Sequence, residues 1–173
     1  EFELSNVSTM PVIALRGITV FPNVMIHFEV AREISVKALE DAMSAGQPVF
    51  LVAQKDISVE EPSSRDLYTV GTISNIRQIL RMPGDNMRVM VEGHSRGRLI
   101  QLTESVPYLK AQVQEIPEEE APARPTPRQE ALMRATYDLF QEYSELAPKV
   151  SPDLIVHLLA SQEPGYIADY IAQ

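Results

Sequence analysis

The clearest signal along the chain is a two-residue alternation of apolar and polar side chains over residues 24–30. The even positions are all apolar, whereas the odd positions hold Met25, His27 and Glu29. Because successive side chains of a strand point to opposite faces, this pattern predicts a half-buried strand. The earlier apolar run at 11–15 lacks the alternation and predicts a strand that is covered on both faces.

The pattern predicts one helix and several further strands in the first two thirds of the chain. Apolar residues recur at three- and four-residue spacings over 31–46, which predicts a helix that ends at Gly46. The further strands are predicted at 48–54, 67–80, 87–92, 97–102 and 108–116. In the 67–80 strand we expect a bulge at Gly71, because Ile73 falls out of phase there. Six or seven short strands with one helix predict a compact, barrel-like β subdomain.

The composition changes abruptly at residues 117–128, which are rich in proline and charge and have no apolar periodicity. We interpret this segment as a linker. It separates a predicted β subdomain at 1–116 from a predicted helical subdomain at 126–173.

Three helices are predicted in the helical subdomain, beginning near Thr126, Ser151 and Pro164. Thr126 and Gln129 match a capping box at the start of the first helix. That helix carries an apolar stripe formed by Leu132, Ala135, Leu139, Tyr143 and Leu146. The chain does not begin with Met, and its last helix stops at Gln173 without a glycine cap, so we expect it to be part of a longer chain.

The composition is that of a soluble globular protein, with 45% apolar and 23% charged residues. There are 24 acidic against 15 basic residues, and the resulting net charge of -9 disfavours nucleic acid as a partner. No cysteine is present, which excludes disulfides and thiolate metal sites and is compatible with a reducing compartment. The longest unbroken apolar run, 49–53, is far shorter than the ~20 residues of a membrane span.

The sequence shows no constellation of residues with catalytic chemistry. Its histidines, His27, His94 and His157, have no metal-ligand spacing, and the chain has neither a glycine-rich phosphate loop nor a G-x-S-x-G elbow. We therefore predict no catalytic residue, no cofactor site and no metal site within this chain.

Methionines near the strand edges are candidates for contact with a partner. Met25 and Met90 lie at outward positions of the alternation, and flexible, polarizable methionine adapts to varied apolar ligands. The alternative is that a second layer, such as the 32–45 helix, covers that face, and the sequence leaves both readings open. The turn at Phe21–Pro22 and the hairpin tip at Met82–Pro83 offer further apolar contacts.

Residues 77–98 contain five arginines and only two acidic residues, Asp85 and Glu92. Arginines on a hairpin can form a positive stripe for an anionic partner. We favour the other reading, in which they offset carboxylates on a solvated face, because no aromatic residues interleave them as stacking platforms.

Several short motifs occur in a fixed order along the chain. Pro11, Leu15, Arg16, Phe21 and Pro22 match a P-x-x-P-L-R pattern followed by F-P, with Ala14 where a second proline is usual. They are followed by Val70-Gly71-Thr72, by Leu80 to Asp85 and by Val89 to Arg96. This ordered set resembles the N-terminal domain of bacterial ATP-dependent Lon proteases, and the resemblance covers residues 10–173.

The resemblance implies an α+β chain, with a PUA-like β-barrel subdomain that contains one helix and is followed by an α-helical bundle. It implies a non-catalytic domain of a cytoplasmic protein that binds unfolded or damaged polypeptides and supports assembly of a hexamer. The ATPase module, with ATP and magnesium, and a Ser–Lys peptidase module are then expected in the rest of the parent chain.

The substrate-binding candidates that follow from this reading are Phe21, Pro22, Met25, Met82, Pro83 and Met90. The alternative function is a stand-alone PUA-like module that binds a protein partner or RNA. The truncated last helix favours a longer parent, and the acidic net charge counts against RNA.

Overall fold

The computed structural model describes residues 6–84, 86–117, 125–147, 156, 158, 161 and 163–172. The chain divides into two compact units, residues 1–118 and 119–173. Strands and one helix make up the described part of the first unit, and helices make up the described part of the second. The helix predicted to begin at Ser151 falls largely outside the described residues.

The first unit contains a mixed sheet and one helix. Its elements are β1 (Val7–Leu15), β2 (Met25–Val30), α1 (Glu33–Ala45), β3 (Val49–Ala53), β4 (Val70–Arg81), β5 (Met87–Glu104) and β6 (Lys110–Ile116). The strand order is β2-β5-β4-β3-β1-β6, and β6 also pairs with β5, so the sheet closes on itself. The β1–β3 pair is parallel, whereas the other pairs are antiparallel.

Strands β1 and β3 are buried on both faces, as the lack of alternation predicts. Ile13 and Leu15 of β1 belong to a core cluster that includes Ala38 and Leu39 of α1. The intervening residues of β1 belong to a second cluster around Phe50. Each side of these strands is therefore covered, one of them by α1.

Strand β2 and helix α1 follow their predicted patterns. On β2 the odd positions Met25, His27 and Glu29 are exposed, whereas the even positions are partly or fully buried. Helix α1 ends at Gly46, which adopts the left-handed conformation with φ 62°. Glycine adopts this conformation without a Cβ penalty, so it is a common helix terminator.

Two predictions for the long hairpin are wrong. β5 is one continuous strand of 18 residues rather than two strands at 87–92 and 97–102. Gly93 lies inside this strand, at a position where a Cβ would meet the carbonyl group of Phe21. Gly71 pairs in register with Gly97, and the irregularities of the β4–β5 ladder fall at Ile73/Ser74 and Ile76/Gln78 instead.

The second unit contains α2 (Pro127–Leu146) and α3 (Pro164–Ala172) in its described residues. Thr126 and Gln129 form the predicted capping box at the start of α2. The hydroxyl of Tyr137 lies 2.9 Å from the carbonyl oxygen of Ser161. The apolar stripe of α2 is exposed, with Leu139 at 67% and Leu146 at 84%.

Candidate functional site

The six candidate residues occupy two separate places on the first unit. Met25 and Met90 lie on the outward face of the β2–β5 pair, where Met25 is opposite Glu92 and Met90 is opposite His27. Residues on such a face that are one pair apart are diagonal neighbours, within reach of long side chains. Met25 is 58% exposed and Met90 is half-buried.

Helix α1 packs on the other face of this strand pair. The core cluster that contains Ala38 and Leu39 of α1 also contains Val89 and Val91, which alternate with Met90 along β5. α1 is therefore not the layer that covers Met25 and Met90, which excludes the helix named in the alternative.

The turn before β2 is fixed to β5 by backbone hydrogen bonds. The N–H of Asn23 donates to the carbonyl of Gly93 at 3.0 Å, and the N–H of Gly93 donates to the carbonyl of Val24 at 2.9 Å. Phe21 is half-buried, but Pro22 is buried. The carbonyl of Phe21 lies where a Cβ of Gly93 would point, on the face of β5 that carries Val89 and Val91, so the structure does not join Phe21 to Met25 and Met90. Pro22 shapes the turn and offers no contact surface.

Met82 and Pro83 lie at the opposite end of the hairpin. On β5, the residues paired with the two ends of β2 are Glu92 and Met87, five residues apart, or about 17 Å along the strand. Met82 lines a cleft of about 440 Å³ together with residues of α1. The structure therefore does not bring the hairpin tip together with Met25.

Three arginines of β4 and β5 form ion pairs. Arg88 pairs with Glu29 at 2.6 Å, and the Nε of Arg77 donates to Glu92 at 2.7 Å. A third arginine, Arg81, pairs with Glu40 of α1 at 2.6 Å. These three arginines offset carboxylates, which is the interpretation that the sequence favours. Ion pairs at such exposed positions contribute little to stability.

Sequence reasoning missed a second cleft, which contains Arg16 and Arg32. Its volume is about 200 Å³, and it lies between the ends of β1 and β2 and the start of α1. Arg16 directly follows β1 and ends the P-x-x-P-L-R motif, whereas Arg32 lies 16 positions further along the chain. Only the fold reveals that the two guanidinium groups share a cleft.

Comparison with known proteins now identifies the family. The family model described as the ATP-dependent protease La (LON) substrate-binding domain matches residues 9–173. The chain belongs to this family. Membership confirms the resemblance that the ordered motifs indicate.

Lon proteases from several bacteria are similar to this Lon substrate-binding domain. The protein of Syntrophomonas wolfei is 40% identical over 163 residues, which cover 94% of this chain and 20% of that protein. Lon protease 1 of Bacillus subtilis is 36% identical over 164 residues, which cover 95% of this chain and 21% of that protein. The chain thus spans about a fifth of the length of these curated relatives.

Two solved structures of Lon N-terminal domains share the fold. The domain from the Mycobacterium avium complex has a TM-score of 0.70 at 20% identity, over 94% of this chain and 80% of that chain. The domain from Xanthomonas campestris has a TM-score of 0.58 at 14% identity, over 95% of this chain and 97% of that chain. Separately, no helix within the described residues is long and apolar enough to cross a membrane.

Proposed function

We propose that this domain recognises unfolded or damaged polypeptides for an ATP-dependent Lon protease and performs no catalysis itself. The family description names substrate binding, and the chain matches only about a fifth of each of these Lon relatives. The comparisons do not favour the alternative of a stand-alone module for protein or RNA.

The observation that carries this proposal is the methionine surface on the outward face of the β2–β5 pair, formed by the exposed Met25 and its diagonal neighbour Met90. Unfolded polypeptides expose the apolar side chains that folded proteins bury. Methionine adapts its flexible side chain to different apolar shapes, so one surface can accept many sequences. Each contact between a methionine and the substrate is weak, which permits release of the substrate.

The free edge of β2 supports the same proposal. Among the described strands, β2 pairs with β5 alone. Its other edge presents backbone N–H and C=O groups that an extended polypeptide can pair with. Backbone pairing is independent of side-chain identity, so it suits a protein that binds many different unfolded chains.

The finer features of the family resemblance are also part of the proposal. The closure of the sheet through β5 and β6 supports a PUA-like barrel, and the described helices of the second unit support a helical bundle. The exposed apolar stripe of α2 offers a surface for packing within a hexamer. We place the parent in the cytoplasm and expect ATP, magnesium and a Ser–Lys peptidase site in its remaining modules.

A titration with a permanently unfolded protein, followed by NMR shifts of the labelled domain, tests this function. We expect binding no tighter than about micromolar, roughly 8 kcal/mol, with shifts at Phe21, Met25 and Met90. Met25→Ser should weaken binding several-fold. Met43→Ser is the matched control, because Met43 is 47% exposed but lies on α1.

The same protein in its folded form should cause no shifts. Absence of shifts at high excess of the unfolded protein would contradict the proposal. An equal loss of affinity in the Met25 and Met43 variants would show that the methionine surface is not the site. Shifts at Met82 and Pro83 would instead place the contact at the hairpin tip.

A further inference from the structure

The cleft that contains Arg16 and Arg32 combines apolar walls with positive charge. Its apolar side chains come from Ile13, Leu15, Ile18, Phe28 and Val30, and Ser35 of α1 also lines it. Its volume of about 200 Å³ is below the ~300–1,000 Å³ of sites for drug-sized ligands. The cleft is therefore suited to a small group such as a single amino-acid residue.

Backbone carbonyl groups hold both guanidinium groups in place. Arg32 donates to the carbonyl of Ala14 and, at 3.2 Å, to the carbonyl of Glu60. Arg16 donates to the carbonyl of Val59 at 3.3 Å. The buried amide of Gln54 also donates to Val59, at 2.9 Å, and so fixes the loop that orients Arg16.

The positive charge of this cleft has no counter-ion among the described residues. Neither arginine forms an ion pair there, and Glu29, which also lines the cleft, pairs with Arg88 at 2.6 Å. Burial and the charge of Arg16 lower the pKa of Arg32 below its ordinary value. Two like charges this close repel each other, and a bound anion would relieve the repulsion.

Ser35 adds a hydroxyl group to the lining of the cleft. Ser35 is only 4% exposed and lies in the first turn of α1, where the helix dipole favours negative charge. A serine hydroxyl is a hydrogen-bond donor, so it suits an anion bound in the cleft.

The position of the cleft on β2 indicates what kind of anion reaches it. Phe28 and Val30, at the end of β2, line the cleft, and Met25 lies at the start of the same strand. An extended polypeptide paired along the free edge of β2 would therefore run from Met25 to the cleft in about 17 Å.

We infer that the cleft binds the C-terminal residue of a polypeptide substrate, with its carboxylate at Arg16 and Arg32 and its apolar side chain against Ile18 and Phe28. This inference rests on the proposed function, since it names the part of the substrate that this domain holds. A C-terminal apolar residue carries a carboxylate and an apolar branch on one Cα. An internal Asp or Glu side chain has no such branch for the apolar walls.

Binding of a short fluorescent peptide that ends in leucine tests the inference. The free acid should bind about tenfold more tightly than the C-terminal amide, because charge-assisted hydrogen bonds to the carboxylate are lost in the amide. Arg16→Gln should remove this difference. Arg98→Gln, which removes the same charge from an exposed position of β5, should preserve it.

Two further arms separate the possible sources of the anion. An amidated peptide with an internal glutamate should bind like the amide, and inorganic phosphate at the peptide concentration should not compete. Equal binding of acid and amide would overturn the inference, as would equal effects of the two arginine variants. Efficient competition by phosphate would show a general anion site and would overturn it as well.

The test also distinguishes this inference from the proposed function. Circular dichroism first establishes that Arg16→Gln is folded, and Arg32→Lys provides a second variant that keeps the charge but loses the planar fork. If unfolded protein still shifts Met25 while acid and amide peptides bind equally, only the C-terminal site is wrong. If unfolded protein causes no shifts, the proposed function is wrong, and the inference that rests on it is wrong as well.

Discussion

At the scale of single residues, Gly93 connects the interior of β5 to the turn that carries Phe21. A Cβ at this position would meet the backbone carbonyl of Phe21, which cannot move like the end of a flexible side chain. The turn is also bonded to both backbone groups of Gly93. The shape of the turn before β2 therefore depends on the absence of a side chain at this one position.

We predict that Gly93→Ala lowers the free energy of unfolding by about 1–3 kcal/mol, the usual cost of overpacking. Urea denaturation of the variant and the parent measures the change. His94→Ala is the control, since His94 is the next residue of β5 and is exposed. Its effect should stay within about 0.5 kcal/mol. Equal effects of the two substitutions would show that the turn yields without cost.

Single residues also show which parts of the candidate site the sequence can predict and which it cannot. The alternation places Met25 on the outward face, and its exposure confirms that position. Pro22 is a candidate only because it is an apolar residue of a turn, where no alternation indicates its exposure, and it is buried. Arg16 and Arg32 flank different elements, so their shared cleft depends on tertiary contacts that no local pattern reports.

At the scale of elements, the alternation of side chains indicates which face of a strand is buried better than it indicates where the strand begins and ends. β2 and the first half of β5 alternate as expected because one face of each is buried. The sequence prediction divides β5 into strands at 87–92 and 97–102, whereas the structure keeps one strand through Gly93 and Gly97. In the structure they allow close approach to Phe21 and, for Gly97, to Phe50 and Val113. A glycine in a sequence does not reveal whether it bends the chain or makes room for another part of it.

The loop between β3 and β4 is an element stabilised by local hydrogen bonds of aspartate side chains. The carboxylate of Asp66 accepts hydrogen bonds from the hydroxyl of Ser63 at 2.7 Å and from its N–H at 2.8 Å. These bonds lower the pKa of Asp66 below its ordinary value, with the hydroxyl bond as the larger cause. Asp56 is held in the same way by Ser58.

We predict that the loop loses order as the pH falls. A depressed carboxyl pKa means that its stabilisation is fully present above the unfolded pKa, about 3.9, and is lost as the pH falls through the lower folded value. NMR titration of the Asp66 carboxyl measures that value directly. Ser63→Ala should raise the pKa of Asp66 toward the ordinary one. A titration at the ordinary pKa in the parent chain would contradict the prediction.

At the scale of the whole molecule, the candidate surface and the arginine cleft belong to the same unit. Residues 1–118 contain both core clusters and both features on β2. The proposed recognition of an extended chain along β2 therefore uses residues of the first unit. The described helices of the second unit carry exposed apolar side chains instead, which suit contacts with the rest of a Lon chain.

The linker that the sequence predicts at 117–128, whose last residues form the start of α2, provides the last prediction. Residues 117–128 are rich in proline and charge and lack the apolar side chains that would dock them on either unit. We expect a glutamate-specific protease to cut first at Glu118 to Glu120 and to release a product of about residues 1–120. Mass spectrometry of the earliest products identifies the bond.

The loop between β3 and β4 provides the internal comparison for this experiment. Glu60 and Glu61 are exposed, but the hydrogen bonds of Asp56, Asp66 and Gln54 hold their loop, so they should be cut more slowly than Glu118 to Glu120. Loss of the hydroxyl bond to Asp66 in a Ser63→Ala variant should accelerate cleavage at Glu60 and Glu61 without changing the rate at Glu118 to Glu120. First cuts within 67–93 would contradict the division of the chain, because they would place the weakest backbone inside the β4–β5 hairpin.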